Sequence, residues 1–268
     1  MHYAKLTYYD IEQIKSLQPD GWPDISEAYR FYCKNDYCNP IKVTLDGKII
    51  GIGSSIMFDK TAWLGHIIVD IDYRNQGIGS KIVELLQNGI KEKGIETTLL
   101  IATELGEPVY KKAGFRKVSD YKYFKKENDW IEKKFSKNIL PYNKTFYEAL
   151  IQFDRYVSGE NRERLLKEFI KTSYVYIDDN NNIQGFFIPN LGEGPIYALT
   201  PEAGKELMRF KYSSVDKATI PSENYTAIEF IKELGFIETT TKAIRMIFGR
   251  DIEWKPTMIY SRAAGNFG

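Results

Sequence analysis

Apolar positions along the chain follow two spacings. Between residues 41 and 70 they fall in dense short runs, Ile41 to Leu45, Lys48 to Met57 and Ala62 to Asp70, which predict strands, with Asp46-Gly47 as a hairpin turn. A strand is also expected from Tyr3, and helices over Ile11 to Leu17 and Ser26 to Lys34. From Ile78 the period changes: Ile78, Ile82, Val83, Leu85, Leu86 and Ile90 make one stripe at 3.6-residue spacing. Lys81, Glu84, Gln87 and Lys91 take the other face, and Gly94 is a stop signal. A β-branched run from Thr97 to Thr103, a short helix after Gly106 and closing strands over Phe115 to Phe124 complete a mixed α/β order. Gly51 and Gly53 sit inside an apolar run with no helix after it, so they read as strand glycines rather than as a loop.

The junction of the two periods carries the chemistry. Val69 ends a strand, and Arg74-Asn75-Gln76-Gly77-Ile78-Gly79-Ser80 leads into the helix, which places two glycines at a helix N-terminus. Unpaired amides and the positive end of the helix dipole meet there, and glycines let an anion approach the backbone. Arg74 adds a mobile positive charge. A Walker loop would need Gly-Lys-Ser/Thr where this chain has Gly79-Ser80-Lys81, and a dinucleotide fingerprint would need a third glycine that is missing.

Val69, Arg74, Gly77 and Gly79 instead resemble motif A of the GNAT superfamily of acyltransferases. Tyr110-Lys111-Lys112-Ala113-Gly114-Phe115, after the Thr97 strand, is similar to the family's motif B. Leu105, where a proline or small residue is more usual, is a small departure. The resemblance implies acetyl-CoA as cosubstrate, bound by Ile68, Val69, Arg74, Asn75, Gln76, Gly77, Ile78, Gly79 and Ser80, with the loop amides holding its pyrophosphate. It also implies that Tyr110 is the proton donor to the leaving thiolate, although the chain has 19 tyrosines and helix packing is the alternative role. Backbone amides near Val69 and Asp70 would face the acyl carbonyl. Asp70 and Glu104 are the nearest acidic groups for deprotonating an attacking amine, with loop capping as their alternative.

Beyond Phe124 the chain partly repeats itself. Ile231-Lys232-Glu233-Leu234-Gly235-Phe236 echoes the Tyr110 segment, and Ala203-Gly204-Lys205-Glu206-Leu207 echoes Ile78 to Ile82, at similar offsets. The second copy lacks the cradle: Leu199, Pro201 and Glu202 stand where Arg74, Gln76 and Gly77 stand in the first. A charge-dense stretch near Lys126 to Lys137 reads as a linker. The expected organisation is therefore an α/β fold of two tandem GNAT-like domains, residues 1–127 with the acetyl-CoA site and residues 128–268 degenerate. Gln184-Gly185-Phe186, Gly194-Pro195 and Pro221-Ser222-Glu223-Asn224 extend the resemblance to a two-domain subfamily. The acceptor is expected between the two halves, with Asp154 and Asn224 as candidate contacts; a cap is the alternative role for Asp154.

Composition narrows the partners. Lys plus Arg total 37 against 36 for Asp plus Glu, so no global field draws the chain to nucleic acid or an anionic membrane. No apolar run reaches about 18 residues and Met1 to Lys5 lacks a signal-peptide core, so a cytoplasmic location is expected. Cys33 and Cys38 are not at CxxC spacing, and His2 and His66 are too few to complete a metal site, so no metal is expected. The leading function is transfer of an acetyl group to the amine of a small molecule or amino acid by direct attack. A non-catalytic acyl-CoA-binding sensor or partner-binding module, and a peptide or protein N-acetyltransferase, are the alternatives.

Overall fold

The computed structural model describes residues 1–127 and 135–268, and the centre of the expected linker lies outside them. The chain forms two units. The first comprises Met1–Lys117 with Met246–Asp251 and Gly265–Phe267; the second comprises Val118–Arg245, Ile252–Ala264 and Gly268. Where the sequence suggests one division at residue 127, segments from the far end of the chain thus belong to the first unit.

In the first unit, β1 (His2–Lys5), β2 (Cys38–Leu45), β3 (Lys48–Met57) and β4 (Thr61–Val69) pair antiparallel in that order. Helices α1 (Ile11–Ile14) and α2 (Ile25–Lys34) lie between β1 and β2 in the chain. The helix expected over Ile11 to Leu17 is α-helical for one turn and tightens to a 3-10 turn over Lys15–Leu17. Pro19 accounts for its end, since the residue before a proline is driven out of the α region, and Gln18 has ψ 117°. Helix α3 (Ile78–Glu92) crosses from β4 to the parallel strand β5 (Thr97–Ala102), and α4 (Glu107–Lys112) follows.

Ile78, Ile82, Val83, Leu86 and Ile90, five of the six stripe residues, are buried on α3. A side chain at Gly53 would meet Ile82 Cγ2 at 2.6 Å, so this strand glycine lets helix and sheet approach closely. Trp63, Tyr29 and Tyr32 fill the other side of the core.

The second unit repeats the order. A sheet runs β7 (Ile139–Pro141), β8 (Tyr174–Ile177), β9 (Ile183–Phe187), β10 (Ile196–Ala198) and β13 (Ile259–Ser261), antiparallel throughout. Helices α5 (Tyr147–Ser158) and α6 (Glu163–Phe169) precede β8. Helix α7 (Pro201–Tyr212) follows β10, then β11 (Lys217–Pro221), α8 (Tyr225–Glu233) and β12 (Phe236–Gly249). Strand β6 (Arg116–Lys126) pairs antiparallel with β11. Ala203, Leu207 and Met208 of α7 pack with Ile196, Ile220, Ile228, Ile231 and Phe236 in one core. Among the described residues no helix is long and apolar enough to cross a membrane.

The last residues of β12 return to the first unit, where Thr97 Oγ1 donates to the Arg250 carbonyl at 3.0 Å. Gly249 has φ +87°, and a Cβ there would stand 1.8 Å from the Glu96 carbonyl oxygen. Gly249→Ala is therefore expected to destabilise by at least about 3 kcal/mol, read as a lowered urea midpoint. Gly89, inside α3 with only Asn39 Nδ2 near at 3.6 Å, should behave oppositely. Gly89→Ala is expected to raise the midpoint by roughly 0.5–1 kcal/mol.

Candidate active site

The turn into α3 is built from backbone conformations that only some residues adopt. Asn75 has φ 62° and Gly77 φ 81°. Asparagine tolerates the left-handed region and glycine occupies it freely. Gly77 is the N-cap of α3 and offers no side chain to its amides. The helical ladder begins with Lys81 N donating to Gly77 O at 3.0 Å, so the Ile78, Gly79 and Ser80 amides precede the first bond and have no intrahelical acceptor. Nothing lies within 4 Å of a Cβ built on Gly77, and only Val69 Cγ2, at 3.7 Å, comes near one on Gly79. Three free donors at the positive end of a 15-residue helix, with open space in front, suit an anion. The buried Ile78 side chain points into the core, so that residue offers the site its amide alone. Arg74 is exposed and its Nε donates to the Val69 carbonyl at 3.1 Å, which ties its guanidinium to the end of β4.

Strand β4 does not stay in register with its neighbours. Ser54 pairs with Gly65 but Ile52 pairs with Ile68, so β4 carries a bulge at His66 and Ile67, and His66 has φ 50°. On the other side the described pairing with β5 covers Thr61–Trp63 against Thr97–Leu99. Asp70 N donates to Ile50 O at 2.9 Å, and strand alternation then turns the Val69 amide away from β3, toward the side where β5 has left the ladder. Val69 thus presents a strand amide next to the cradle. The Asp70 amide, expected to share that role, is used within the sheet.

The acidic candidates differ. Asp70 caps the turn after β4 by accepting from Asp72 N at 3.1 Å, and its carboxylate pairs with Lys48 at 2.7 Å. The bonded Lys48 ammonium holds the Asp70 carboxyl below the usual carboxylate range, which makes it a weaker base. Glu104 is exposed just past the end of β5. Tyr110 sits on α4 with its ring edge against Phe115, at 6.0 Å between centroids. Burial pushes its phenol up to about 12, so it stays protonated at neutral pH.

The structure places the two expected acceptor contacts, Asp154 and Asn224, in the interior of the second unit. Asp154 is 1% exposed and its carboxylate is taken by Arg162, through Nη2 at 2.5 Å and Nε at 3.1 Å, while Arg162 also donates to Tyr197 Oη at 2.8 Å. The Arg162 guanidinium thus spans both oxygens of this interior carboxylate. Asn224, 2% exposed, accepts from Ala227 N as the cap of α8 and donates to the Ile259 carbonyl at 3.0 Å. Both hold the second unit together.

That unit has closed the place equivalent to the cradle. Thr200 caps α7 by accepting from Ala203 N, Pro201 starts the helix without an amide hydrogen, and Glu202 accepts from Tyr176 Oη at 2.9 Å. Gly204, the counterpart of Gly79, is covered: a Cβ there would lie 2.3 Å from the Tyr260 ring. Strand β13, which carries Tyr260, pairs with β10, and Arg262 N donates to Thr219 O of β11 at 3.1 Å. The gap that stays open between β4 and β5 is filled between β10 and β11 by the chain itself.

Comparison with known proteins decides the family. The model of an acetyltransferase (GNAT) domain matches residues 27–117, and a second acetyltransferase (GNAT) domain model matches residues 150–261. The chain belongs to the GNAT acetyltransferases. It is an acyltransferase built of two GNAT-like units in tandem, and its activity is N-acetyl transfer. A relative, the uncharacterized N-acetyltransferase YitH of Bacillus subtilis, is 25% identical over 237 residues, 81% of this chain and 80% of that protein. A putative acetyltransferase from Pyrococcus horikoshii shares the fold over 100% of this chain and 95% of its own, at TM-score 0.83 and 22% identity. A GCN5-related N-acetyltransferase from Sphaerobacter thermophilus does so over 96% and 98%, at TM-score 0.68 and 13% identity. GNAT acetyltransferases in general use acetyl-CoA and act on amines.

No sequence motif marks the bulge residue His66. Tyr29 Oη donates to the His66 carbonyl at 3.0 Å, and Tyr32 Oη lies 2.7 Å from His66 Nδ1. Burial lowers the imidazole to about 4, so the folded protein holds it neutral. The unfolded chain then binds the extra proton first: stability is full above about 6.5 and falls as pH drops toward 4. The expected loss across that window is of order 2–3 kcal/mol at this residue. Urea midpoints between pH 7 and 4.5 should fall less steeply in His66→Phe than in the parent.

Proposed function

We propose that the chain transfers the acetyl group of acetyl-CoA to the amine of a small molecule or amino acid by direct attack, at one site in the first unit. The observation that carries the reading is the set of unpaired amides at Ile78, Gly79 and Ser80, next to a strand whose Val69 amide has left the ladder. In this reading the helix amides, with Arg74, Asn75, Gln76 and Gly77, hold the pyrophosphate, and the pantetheine arm extends along Ile68 and Val69. The Val69 amide donates to the acyl oxygen as negative charge develops there, a contribution typically worth about 3 kcal/mol. The amine attacks the carbonyl carbon, the C–S bond breaks, and the thiolate takes a proton.

Tyr110 is the donor this reading favours, because its phenol is protonated and has no hydrogen-bond partner among the described residues. Glu104 is favoured over Asp70 as the group that relieves the amine of its proton. It stands past the C-terminal end of β5, and the Lys48 ammonium makes Asp70 the weaker base. The second unit contributes no second cradle in this reading, since β13 and Tyr260 occupy that place.

Release of free thiol from acetyl-CoA, measured across amines and amino acids, tests the function. Gly77→Asp keeps a residue type that tolerates a positive φ but sets a carboxylate against the diphosphate. It should lower kcat/KM for acetyl-CoA at least about tenfold, equivalent to about 1.4 kcal/mol. Tyr110→Phe should lower kcat by roughly 10- to 100-fold and leave KM for acetyl-CoA within about twofold. Tight acetyl-CoA binding with no turnover on any amine would replace this reading by that of a sensor. Full activity in Gly77→Asp would remove the cradle from it.

A further inference from the structure

A non-glycine residue with positive φ in the middle of a strand persists only where its surroundings over-determine it, and such residues concentrate at functional sites. His66 is held in this way from three directions. Tyr29, fully buried on α2, binds its carbonyl; Tyr32, one turn further on, binds its ring; and Asn266 Nδ2 donates to Tyr32 Oη at 2.6 Å. The last contact needs Gly65 beside the bulge, because a Cβ there would fall 2.6 Å from Asn266 Cβ and 3.1 Å from Tyr32 Oη.

The chain of donors favours one histidine tautomer. With the Asn266 amide hydrogen directed at the Tyr32 oxygen, His66 Nδ1 is the acceptor within reach of the Tyr32 hydrogen, whereas an Nδ1–H ring would leave that hydrogen unpaired among the described residues. In the favoured tautomer Nδ1 accepts and the ring hydrogen is on Nε2, for which the described residues give no partner. The ring is half-buried, with Trp22 edge-on to it at 6.0 Å and Tyr29 at 6.2 Å between centroids. Trp22, 42% exposed, stands on the loop before α2. Gln18 braces that loop by donating to the Pro19, Trp22 and Pro23 carbonyls and accepting from Ile25 N.

We propose that His66 is the residue that positions the acceptor in the first unit. Its Nε2–H donates to an oxygen on the group next to the reacting amine, a carboxylate or amide carbonyl, so that amino-acid-like acceptors are preferred over plain alkylamines. The inference rests on the acyl site assigned above to Val69. His66 lies three residues before Val69, roughly 10 Å along the strand at about 3.3 Å per residue. That separation is too long for a direct bond to the acyl oxygen and suits a small acceptor lying between the two. A neutral ring whose Nε2 already carries hydrogen does not take a proton from the amine, so the role is placement rather than base catalysis.

The chain has two histidines, so nitrogen NMR of 15N-histidine-labelled full-length protein resolves His66 against a His2→Gln control. At pH 7 with coenzyme A present, the expected spectrum is the neutral Nε2–H tautomer. Saturating N-acetylglycine or N-acetylglycinamide should move that signal, and N-ethylacetamide should not. The stronger responder of the first two distinguishes a carboxylate from an amide carbonyl. In kinetics, His66→Phe should raise KM for glycine-type acceptors at least about tenfold with kcat changed less, while His66→Gln, which keeps an N–H donor, restores most of the loss.

An Nδ1–H or charged ring overturns the proposal. So does an Nε2 signal that ignores all three probes or answers N-ethylacetamide equally, and so does equal loss in the Gln and Phe variants. Coenzyme A affinity, measured separately by calorimetry with Gly77→Asp as the reference, shows whether a negative result lies in His66 or in the acyl site itself.

Discussion

The site depends on backbone amides that the fold leaves without acceptors. Buried or half-buried N–H groups are normally satisfied, and leaving them open costs free energy that the rest of the unit must offset. Here two mechanisms of exposure meet. The start of α3 is capped by a glycine with no side chain to give, and β4 is turned by a bulge so that Val69 faces a gap instead of a neighbour. The packing of α3 on β3, permitted by Gly51 and Gly53, keeps the helix end and the strand end in fixed relation. Rigid elements on both sides let main-chain donors act as a binding surface without any particular side chain.

The sequence made the cradle legible because its signals are local. Positive φ at Gly77, the helical stripe from Ile78 and the strand before it all lie within about 25 residues, and each follows from a residue's own conformational range. The bulge was not legible. His66 is an ordinary residue in a strand run, and what holds it at φ 50° comes from Tyr29 and Tyr32 on an earlier helix and from Asn266 near the far end of the chain. The interior placement of Asp154 and Asn224 was hidden for a related reason. Their chemistry is that of ligands, but Arg162, Tyr197, Ala227 and Ile259 consume it, and those partners are set by tertiary packing.

The second unit shows how the same order of elements loses a ligand site. Its helix start has an efficient threonine cap, its glycine serves contact with an aromatic ring, and its strand gap is filled by β13. Lys211 of α7 reinforces the closure by donating to Ser261 Oγ at 2.6 Å and to the Gly194 carbonyl at 2.7 Å. Each of these changes satisfies groups that the first unit leaves open. The difference between the two copies is therefore one of hydrogen-bond accounting, which a comparison of glycine positions alone does not reveal.

The return of residues 246–251 and 265–267 to the first unit has a consequence for the order of assembly. As the chain is synthesised, the segment that bears the anion cradle emerges well before the asparagine that binds Tyr32 and the strand end beside β5. Closing contacts across 153 and 234 positions is slow, because the loop entropy must be overcome before those contacts form. The first unit therefore completes its contacts only after most of the second has been made, so a chain halted within the second unit would carry an intact motif and a Tyr32 without its Asn266 partner.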